Sequence, residues 1–230
     1  MRTTAQINRI KKTHSESTQL LNVINQDKIT SLLEHYHASE KIEKNTGPKV
    51  VYVEEGEGVI DDILDLLRKQ FGNFKVRSAH YFDVTSPHVL HIDDSFEYPD
   101  VYKAFTIPLW VDKGDCNKIK LVMFDQYYYG GPVKLFNGEQ DLDIPFYYNQ
   151  PLYDYNEVEN TNKNGIPQPI RNVLTHLKDN WLEGLSVKGF FPWTIGSIIA
   201  FDSLRIHCSS DFTKLGVDRK IGLSIFTEIQ

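Results

Sequence analysis

The residues of this sequence with the clearest chemical meaning are His91 and Asp93, which flank Ile92, and His207 far downstream. On a β-strand, side chains at positions i and i+2 point to the same face, so His91 and Asp93 can reach one metal ion together. Two imidazoles and one carboxylate form the facial ligand set of non-haem Fe(II) sites, which leaves other coordination positions open. The chain contains eight histidines, so this spacing can arise by chance and its meaning depends on the surrounding sequence.

The composition limits the class of protein. Of the 230 residues, 40% are hydrophobic, which is enough for a substantial core. The formal net charge of -6 lacks the basic surplus that binding to a phosphate backbone requires, so we expect no nucleic-acid partner. The two cysteines, Cys116 and Cys208, form no CxxC pair, which argues against a cysteine-built zinc site and a disulfide framework.

The sequence also predicts a cytoplasmic protein without a membrane partner. The first residues are polar and lack the apolar segment of a signal peptide. Nowhere do 18 apolar residues run together, as a transmembrane helix would require. The low cysteine content fits a reducing compartment.

The N-terminal third carries helical patterns around one strand. Residues 1–18 indicate a loose arm or a fraying first helix, and the apolar spacing over 19–33 predicts a helix or two short ones. Residues 49–53 are rich in β-branched side chains and predict a strand. The apolar residues over 59–71 then follow helical spacing, and Gly72 ends the pattern.

From Phe74 onward, short strands alternate with turn residues. The pattern predicts strands at 75–82, 88–92, 103–111, 119–128, 133–136, 197–207 and 220–228, and a helix at 170–185. Such a chain is typical of an antiparallel sandwich or jelly roll braced by helices. We therefore predict a single domain, 1–230. Residues 1–73 form a helical N-terminal support and 74–230 the mainly β core, with a loop insertion at about 137–169 that could cover a site.

The stretch GSIIAFDSLRIHCS, residues 196–209, carries a specific resemblance. It resembles the penultimate strand of the double-stranded β-helix in Fe(II)/2-oxoglutarate-dependent dioxygenases, where a glycine turn precedes an apolar strand that ends in a metal-binding histidine. Prolyl-hydroxylase-like and phytanoyl-CoA-dioxygenase-like members share this pattern. The resemblance covers roughly residues 76–226 and implies a cupin-like jelly-roll core. It also implies that His91, Asp93 and His207 are the catalytic Fe(II) ligands.

The stretch KIGLSIF, residues 220–226, resembles the last strand of that family. There, a basic residue binds the distal carboxylate of 2-oxoglutarate, and small residues on the same face leave room for it. Lys220 takes the basic position here, and Gly222 and Ser224 are the small residues. Strand alternation favours Lys220 because the apolar residues between these positions face the core, but a register shift of one residue would favour Arg219.

The resemblance implicates three further side chains. Tyr81 lies ten residues before His91, an offset at which prolyl-hydroxylase-like enzymes often carry a tyrosine that reaches the 2-oxoglutarate end of the pocket. Strand alternation points His88 away from the face of His91, which suggests a place at the pocket rim. Trp193 precedes the Gly196 strand and is a candidate pocket wall. His88 and Trp193 are thus candidate substrate contacts, and a packing role is open to both.

The function that the resemblance implies is an Fe(II)- and 2-oxoglutarate-dependent oxygenase that uses O2. Such an enzyme couples substrate oxidation to decarboxylation of 2-oxoglutarate to succinate. The carboxylate of Asp93 favours hydroxylation, since related halogenases replace it with a small residue. An amino acid, a peptide side chain or a small metabolite is the expected substrate. Two alternatives stay open: a cupin-like metalloprotein that does not use 2-oxoglutarate, and a non-catalytic β-sandwich binding module.

Overall fold

The computed structural model describes residues 2–39, 49–93, 100–129 and 165–230. The helices of these ranges are α1 (Thr4–Lys11), α2 (Gln26–Ala38), α3 (Asp61–Phe71) and the short α4 (Gln168–Arg171), with 3-10 turns at Cys116–Lys118, Asp179–Leu182 and Phe212–Leu215. The strands are β1 (Thr18–Leu20), β2 (Lys49–Val53), β3 (Phe74–Val84), β4 (Val101–Val111), β5 (Lys120–Tyr127), β6 (Val187–Pro192), β7 (Ile198–Asp202), β8 (Arg205–Ser209) and β9 (Lys220–Ile229).

The strands form two antiparallel sheets. The larger has the order β1-β7-β4-β9-β3-β2 and the smaller the order β6-β5-β8. His91 forms an isolated antiparallel bridge to His207 on the free edge of β8, so the chain around residue 91 takes a fourth place in the smaller sheet. Strands that pass back and forth between two such sheets form a jelly roll, or double-stranded β-helix. The predicted fold class is therefore confirmed.

The packing places an apolar layer on each side of both sheets. Helices α2 and α3 cover the outer face of the larger sheet, and residues from 166–185 together with Ile10 of α1 cover the outer face of the smaller one. The space between the sheets holds two smaller clusters: Phe82, Val84, Ile119, Trp193, Phe212 and Val217, and Ala104, Leu121, Met123, Ile199 and Phe201. The helices thus support the sandwich from outside, and the interior is free for a site.

The helix ends follow local rules. Thr3 and Gln6 form a capping box at the start of α1, and the side chain of Asn25 accepts a hydrogen bond from the backbone of Lys28 at the start of α2. Helix α3 carries acidic residues in its first turn and basic residues in its last, which complements the helix dipole. It ends at Gly72, whose φ of 84° suits glycine.

The predicted strand 197–207 is two strands. Strand β7 belongs to the larger sheet, and after a turn at Ser203 and Leu204 the chain continues as β8 in the smaller sheet. Every residue of both strands is buried. The apolar run therefore continues across the turn, and its pattern alone does not show where the chain changes sheets.

Three other predictions of secondary structure are wrong. The helix predicted over 19–33 begins only at Gln26, because residues 18–20 form β1 and pair with β7. A helix over 170–185 does not form: this segment contains only the end of α4 and one 3-10 turn, and it packs through Leu174, Leu177 and Trp181, whose burial fixes its irregular course. Residues 88–92 form no regular strand, only the bridge at His91. Strand β6 was not predicted, since it alternates between exposed and half-buried residues. The predicted strand 133–136 and most of the loop 137–169 lie outside the described residues.

Within the described ranges, no helix combines the length and the apolar character needed to cross a lipid bilayer.

Gly222 on β9 has no room for a side chain. A Cβ atom at this position would lie 2.5 Å from Cζ of Phe82 and 3.0 Å from Cη2 of Trp193. We expect Gly222→Ala to lower the free energy of unfolding in urea by about 1–3 kcal/mol, because overpacking displaces both rings.

Gly189 on β6 is the matched control. A Cβ there would meet Phe191 at 3.4 Å, an ordinary contact distance. We expect Gly189→Ala to change the free energy of unfolding by less than about 1 kcal/mol. Equal stabilities of the two variants would contradict the packing described for Gly222.

Candidate metal centre

His91, Asp93 and His207 come together in the interior of the sandwich. Nε2 of His91 lies 3.6 Å from Oδ1 of Asp93, and Nε2 of His207 lies 3.5 Å from Oδ2 of the same carboxylate. The two imidazole ring centres are 4.1 Å apart. Two ligands bound at right angles, each about 2.1 Å from a metal ion, are roughly 3 Å apart. The three side chains can therefore bind one ion with little movement.

Backbone pairing produces this convergence. The backbone N–H of His91 donates to the carbonyl of His207 and the N–H of His207 donates to the carbonyl of His91, both at 3.0 Å. Leu90 and Ile92 are buried in the cluster outside the smaller sheet, so the intervening His91 and the following Asp93 point inward. The i, i+2 relation holds although the segment is not a regular strand.

Both histidines are oriented for metal binding. Nδ1 of His91 lies 2.7 Å from the carbonyl oxygen of Val89, and Nδ1 of His207 lies 2.9 Å from that of Arg205. A carbonyl oxygen only accepts, so each Nδ1 carries the hydrogen and donates it. In the neutral ring, this leaves the lone pair of each Nε2 for a metal ion, which is the usual arrangement of metal-binding histidines.

The carboxylate of Asp93 is held in its charged form. Burial alone would raise its pKa, but His207, His91 and Arg77 outweigh that effect and keep the pKa below the ordinary value. Arg77 also donates a hydrogen bond of 2.9 Å to the backbone carbonyl of Asp93. A divalent cation such as Fe(II), when it binds, takes the carboxylate in its charged form and both imidazoles in their neutral form.

Lys220 lies on the interior face of β9 and is 3% exposed. Its Nζ donates to Oγ of Ser209 at 3.1 Å, and it lies 4.0 Å from the ring centre of Trp193 and 5.0 Å from that of Phe212. Burial lowers the pKa of Lys220 to about 7. No carboxylate pairs with Lys220 in the part of the chain that the structure describes. A buried ammonium group of this kind needs an anion for full compensation.

A second donor lies beside Lys220. The indole Nε1 of Trp193 is buried and has no hydrogen-bond acceptor among the described residues. Buried donors without a partner are rare in folded proteins and call for an explanation, such as a ligand that completes them. Lys220 and Trp193 together therefore fit a carboxylate in this end of the interior. Trp193 lies beside Lys220 in the interior, and its role as a wall of a pocket stays a prediction.

Arg219 is not available for this role. Its guanidinium makes two hydrogen bonds to Asp83, at 2.8 and 2.6 Å, and Asp83 also accepts from the hydroxyl of Tyr36 on α2. These contacts lie on the helix-covered face of the larger sheet, because Asp83 pairs in register with Ile221, a residue of the outer cluster. Strand alternation in β9 favoured Lys220 over Arg219, and β9 has that alternation in the structure.

The prediction for Tyr81 is wrong. Tyr81 pairs in register with Leu223 and belongs to the cluster under the helices, with its ring 5.6 Å from Tyr36 and 5.7 Å from His35. Strand alternation turns Phe82 inward, so Tyr81 faces the opposite side of the sheet from Lys220. An offset counted along the sequence does not fix the face of a strand, and here the large side chain of Tyr81 packs against α2.

Ser224 and His88 take different places near the site. Ser224 lies on the face of β9 that carries Lys220, between His80 and Thr106 in the register, and its contact with a ligand stays a prediction. His88 does not point away from His91 as alternation suggested. Its ring is edge-on to that of His91 at 5.6 Å, because residues 88–90 are not a regular strand.

The environment of His88 keeps it neutral. Burial lowers its pKa well below the ordinary value, and the nearby His91 and Lys220 lower it further. The backbone carbonyl of His88 accepts from Ser209 and from the ring of His176. A neutral imidazole at this place can contact a ligand between Lys220 and the three metal-binding side chains.

Sequence reasoning missed three residues of the interior. Ser209 accepts the hydrogen bond of Lys220, Phe82 fills the space above Gly222, and Arg205 lies two residues before His207. Two of them could have been found, since Arg205 and Ser209 share the strand face of His207 at i-2 and i+2. The position of Phe82 depends on pairing between β3 and β9, which the sequence does not show.

No protein-family model matches the sequence, and no curated protein matches it. The structure does match solved structures. It resembles the non-haem α-ketoglutarate-dependent epimerase SnoN of nogalamycin biosynthesis (10% identity, TM-score 0.51, 97% of this chain and 81% of that chain). It also resembles HygX of Streptomyces hygroscopicus (11%, 0.50, 99% and 87%) and the carbocyclase SnoK of nogalamycin biosynthesis (12%, 0.50, 98% and 84%).

The protein therefore has the double-stranded β-helix fold of these α-ketoglutarate-dependent enzymes. At such identities the likeness concerns the fold. The arrangement of His91, Asp93 and His207 comes from the structure of this chain itself.

Metal binding tests the site directly. We expect the protein to bind one Mn(II) or Fe(II) ion, and His207→Ala and Asp93→Asn each to weaken that binding at least about 100-fold, since each removes a ligand. The exposed His37 on α2 supplies the control, and His37→Ala should keep the affinity of the native protein. Isothermal titration under argon measures the stoichiometry and the dissociation constant. Unchanged affinity in both ligand variants would show that the ion binds elsewhere.

Proposed function

We propose that the protein is an Fe(II)- and 2-oxoglutarate-dependent oxygenase. The observation that carries the proposal is that one interior holds both a facial set of His91, Asp93 and His207 and a buried Lys220 without a carboxylate partner among the described residues. A metal site alone would fit many chemistries. The added buried cation fits a cosubstrate that chelates a metal at one end and carries a carboxylate at the other.

The residues have distinct roles in this proposal. His91, Asp93 and His207 would hold Fe(II), and Lys220 with the indole N–H of Trp193 would bind the distal carboxylate of 2-oxoglutarate. When bound, the iron and its cosubstrate supply the activation of O2, coupled to decarboxylation of 2-oxoglutarate to succinate. Phe82, which packs against Trp193, helps to exclude water and so strengthens the charge interaction at Lys220.

The structural neighbours support the cofactors. A complex of SnoN contains Fe3+ and α-ketoglutarate, and HygX was solved with nickel and 2-oxoglutarate. The neighbours also include an epimerase and a carbocyclase, so this fold does not determine the outcome of the oxidation. We propose hydroxylation because the carboxylate of Asp93 fills the position that related halogenases leave to chloride. The substrate would be an amino acid, a peptide side chain or a small metabolite.

The two alternative functions fit the interior less well. A cupin-like metalloprotein without 2-oxoglutarate gives no reason for a buried ammonium group at Lys220 that has no carboxylate partner in the described ranges. In a non-catalytic binding module, the three ligands would have no reason to converge with both Nε2 atoms directed at one carboxylate. The proposal includes a cytoplasmic location, since Cys116 and Cys208 are both free thiols.

Binding of 2-oxoglutarate tests the role of Lys220. We expect Lys220→Met to weaken binding to the Mn(II)-loaded protein by about 30-fold or more, because it removes one partner of a buried charge pair. Lys220→Arg keeps the charge and should lose much less. Titration calorimetry measures both, and equal affinity of Lys220→Met and the native protein would exclude Lys220 as the anchor.

The pH dependence of this binding follows from the lowered pKa of about 7. Only protonated Lys220 attracts a carboxylate, so the affinity should be full below pH 7 and fall by up to about tenfold per pH unit above it. Lys220→Arg should abolish this fall, since arginine stays charged. His88, His176 and Cys208 also lie near Lys220, but none can supply a permanent positive charge. A native profile as flat as that of Lys220→Arg would contradict the titration.

Turnover tests the proposed reaction class. We expect slow succinate formation from 2-oxoglutarate under O2 with Fe(II), even without a substrate, and we expect His207→Ala to abolish it by removing a metal ligand. Mass spectrometry of succinate measures the rate, with His37→Ala as the control. Metal binding without binding of 2-oxoglutarate would favour the cupin-like alternative, and the absence of both would favour the binding module.

A further inference from the structure

Arg205 lies beside the candidate metal ligand His207. Arg205, His207 and Ser209 share the interior face of β8, and the residues between them are buried in the outer cluster. Ser209 contacts Lys220, so Arg205 extends from the strand on the other side of His207. The interior thus has a buried cation on each side of this ligand.

The charges around Arg205 do not balance. Arg205 and Lys103 are both buried, at 5% and 2% exposure. Among the described residues, the carboxylate that contacts both is that of Asp202. Asp202 bonds directly to Nζ of Lys103, whereas Nη2 of Arg205 is 4.0 Å from it. The hydroxyl of Tyr127 bonds to both Asp202 and Arg205. In the residues that the structure describes, this cluster therefore has a surplus of one positive charge.

Arg205 also has a free donor. Nη1 donates to the carbonyl of Phe124 and Nη2 to the hydroxyl of Tyr127, but Nε is buried and has no acceptor in the described part of the chain. An unsatisfied N–H on a buried guanidinium is unfavourable unless a ligand completes it. The charge and the hydrogen-bond geometry thus point to the same missing group, an acceptor with one negative charge.

The aromatic neighbours of Arg205 are less buried than those of Lys220. The guanidinium carbon lies 4.4 Å from the ring centre of Tyr127, and the ring of His14 stacks on Tyr127 at 4.1 Å. Tyr127 and His14 are half-buried, whereas Trp193 and Phe212 near Lys220 are fully buried. The surroundings of Arg205 are therefore less enclosed than those of Lys220.

We propose that Arg205 binds a carboxylate of the substrate and that the substrate is accordingly a free carboxylic acid, such as an amino acid or an organic acid. This inference rests on the proposed function and narrows its substrate class. A monoanion matches the surplus of one charge and the single free Nε donor, whereas an internal residue of a peptide offers no such group. Binding next to His207 holds the substrate close to the metal.

Acetate is the minimal probe for this site. The protein is loaded with Mn(II) and saturated with 2-oxoglutarate, so that the pocket of Lys220 is filled, and both bindings are verified by titration. The paramagnetic enhancement of acetate methyl relaxation is then measured against acetate concentration, with the Zn(II)-loaded protein as the diamagnetic reference. The variants are Arg205→Gln and, as a control that removes an exposed arginine, Arg9→Gln.

The expected result is a saturable enhancement in the native protein and in Arg9→Gln, with binding weakened roughly tenfold or more in Arg205→Gln. Equal acetate binding in Arg205→Gln, or no saturable enhancement in the native protein, would overturn the proposal. If Mn(II) or 2-oxoglutarate does not bind the native protein, the proposed function itself fails and this inference fails with it.

If Arg205→Gln does not fold, as judged by circular dichroism, Arg205→Lys is the variant to measure. It keeps the positive charge but lacks the Nε donor and the planar fork, so acetate binding should weaken by several-fold. Native-like acetate affinity in Arg205→Lys would show that the guanidinium has no specific role.

Discussion

The reciprocal backbone pair between His91 and His207 is the interaction on which the rest of this site depends. Two hydrogen bonds of 3.0 Å fix the segment around residue 91 to the edge of β8 and set the distance between the imidazole rings. Leu90 and Ile92 are completely buried on the outer side, so the burial of apolar surface holds this pair in register. A shift of one residue in this pairing would turn His91 and Asp93 outward. The apolar packing outside the smaller sheet therefore keeps these two side chains in the interior.

The interior is unusual in the cations that it buries. Lys220 contacts Ser209, two residues after His207, and Arg205 lies two residues before it; neither has a full complement of acceptors among the described residues. The buried carboxylate of Asp83 is paired with the partly exposed Arg219, and the buried Lys103 is paired with Asp202. Among the described residues, Lys220 has no carboxylate partner and Arg205 has a buried Nε without an acceptor, and this difference makes both candidates for binding a ligand.

The sequence predicted the jelly roll from its many short strands, and alternation placed His91 with Asp93 and Lys220 opposite the apolar residues of β9. The place of His207 beside them came from the resemblance of residues 196–209 to a known strand pattern and not from periodicity. It could not predict features that depend on pairing between distant strands. Tyr81 shares a face with the helices because β3 pairs with β9 and not because of its offset from His91. The change of sheets at Ser203 was hidden because both strands are buried on both faces. The signal for Arg205 in the sequence is a charged residue within an apolar strand, two positions before His207.

The lowered pKa of Lys220 links function to stability. Its pKa is about 7 in the folded chain and 10.5 when freely solvated, so the folded state binds fewer protons than the unfolded state between these values. The stability of the free protein therefore rises with pH across this window, and at neutral pH the buried charge costs on the order of 5 kcal/mol. A bound carboxylate would raise the pKa again and recover much of this energy. The free protein is thus less stable with Lys220 at this position than an apolar core would be, and an anion bound at Lys220 would offset part of that cost.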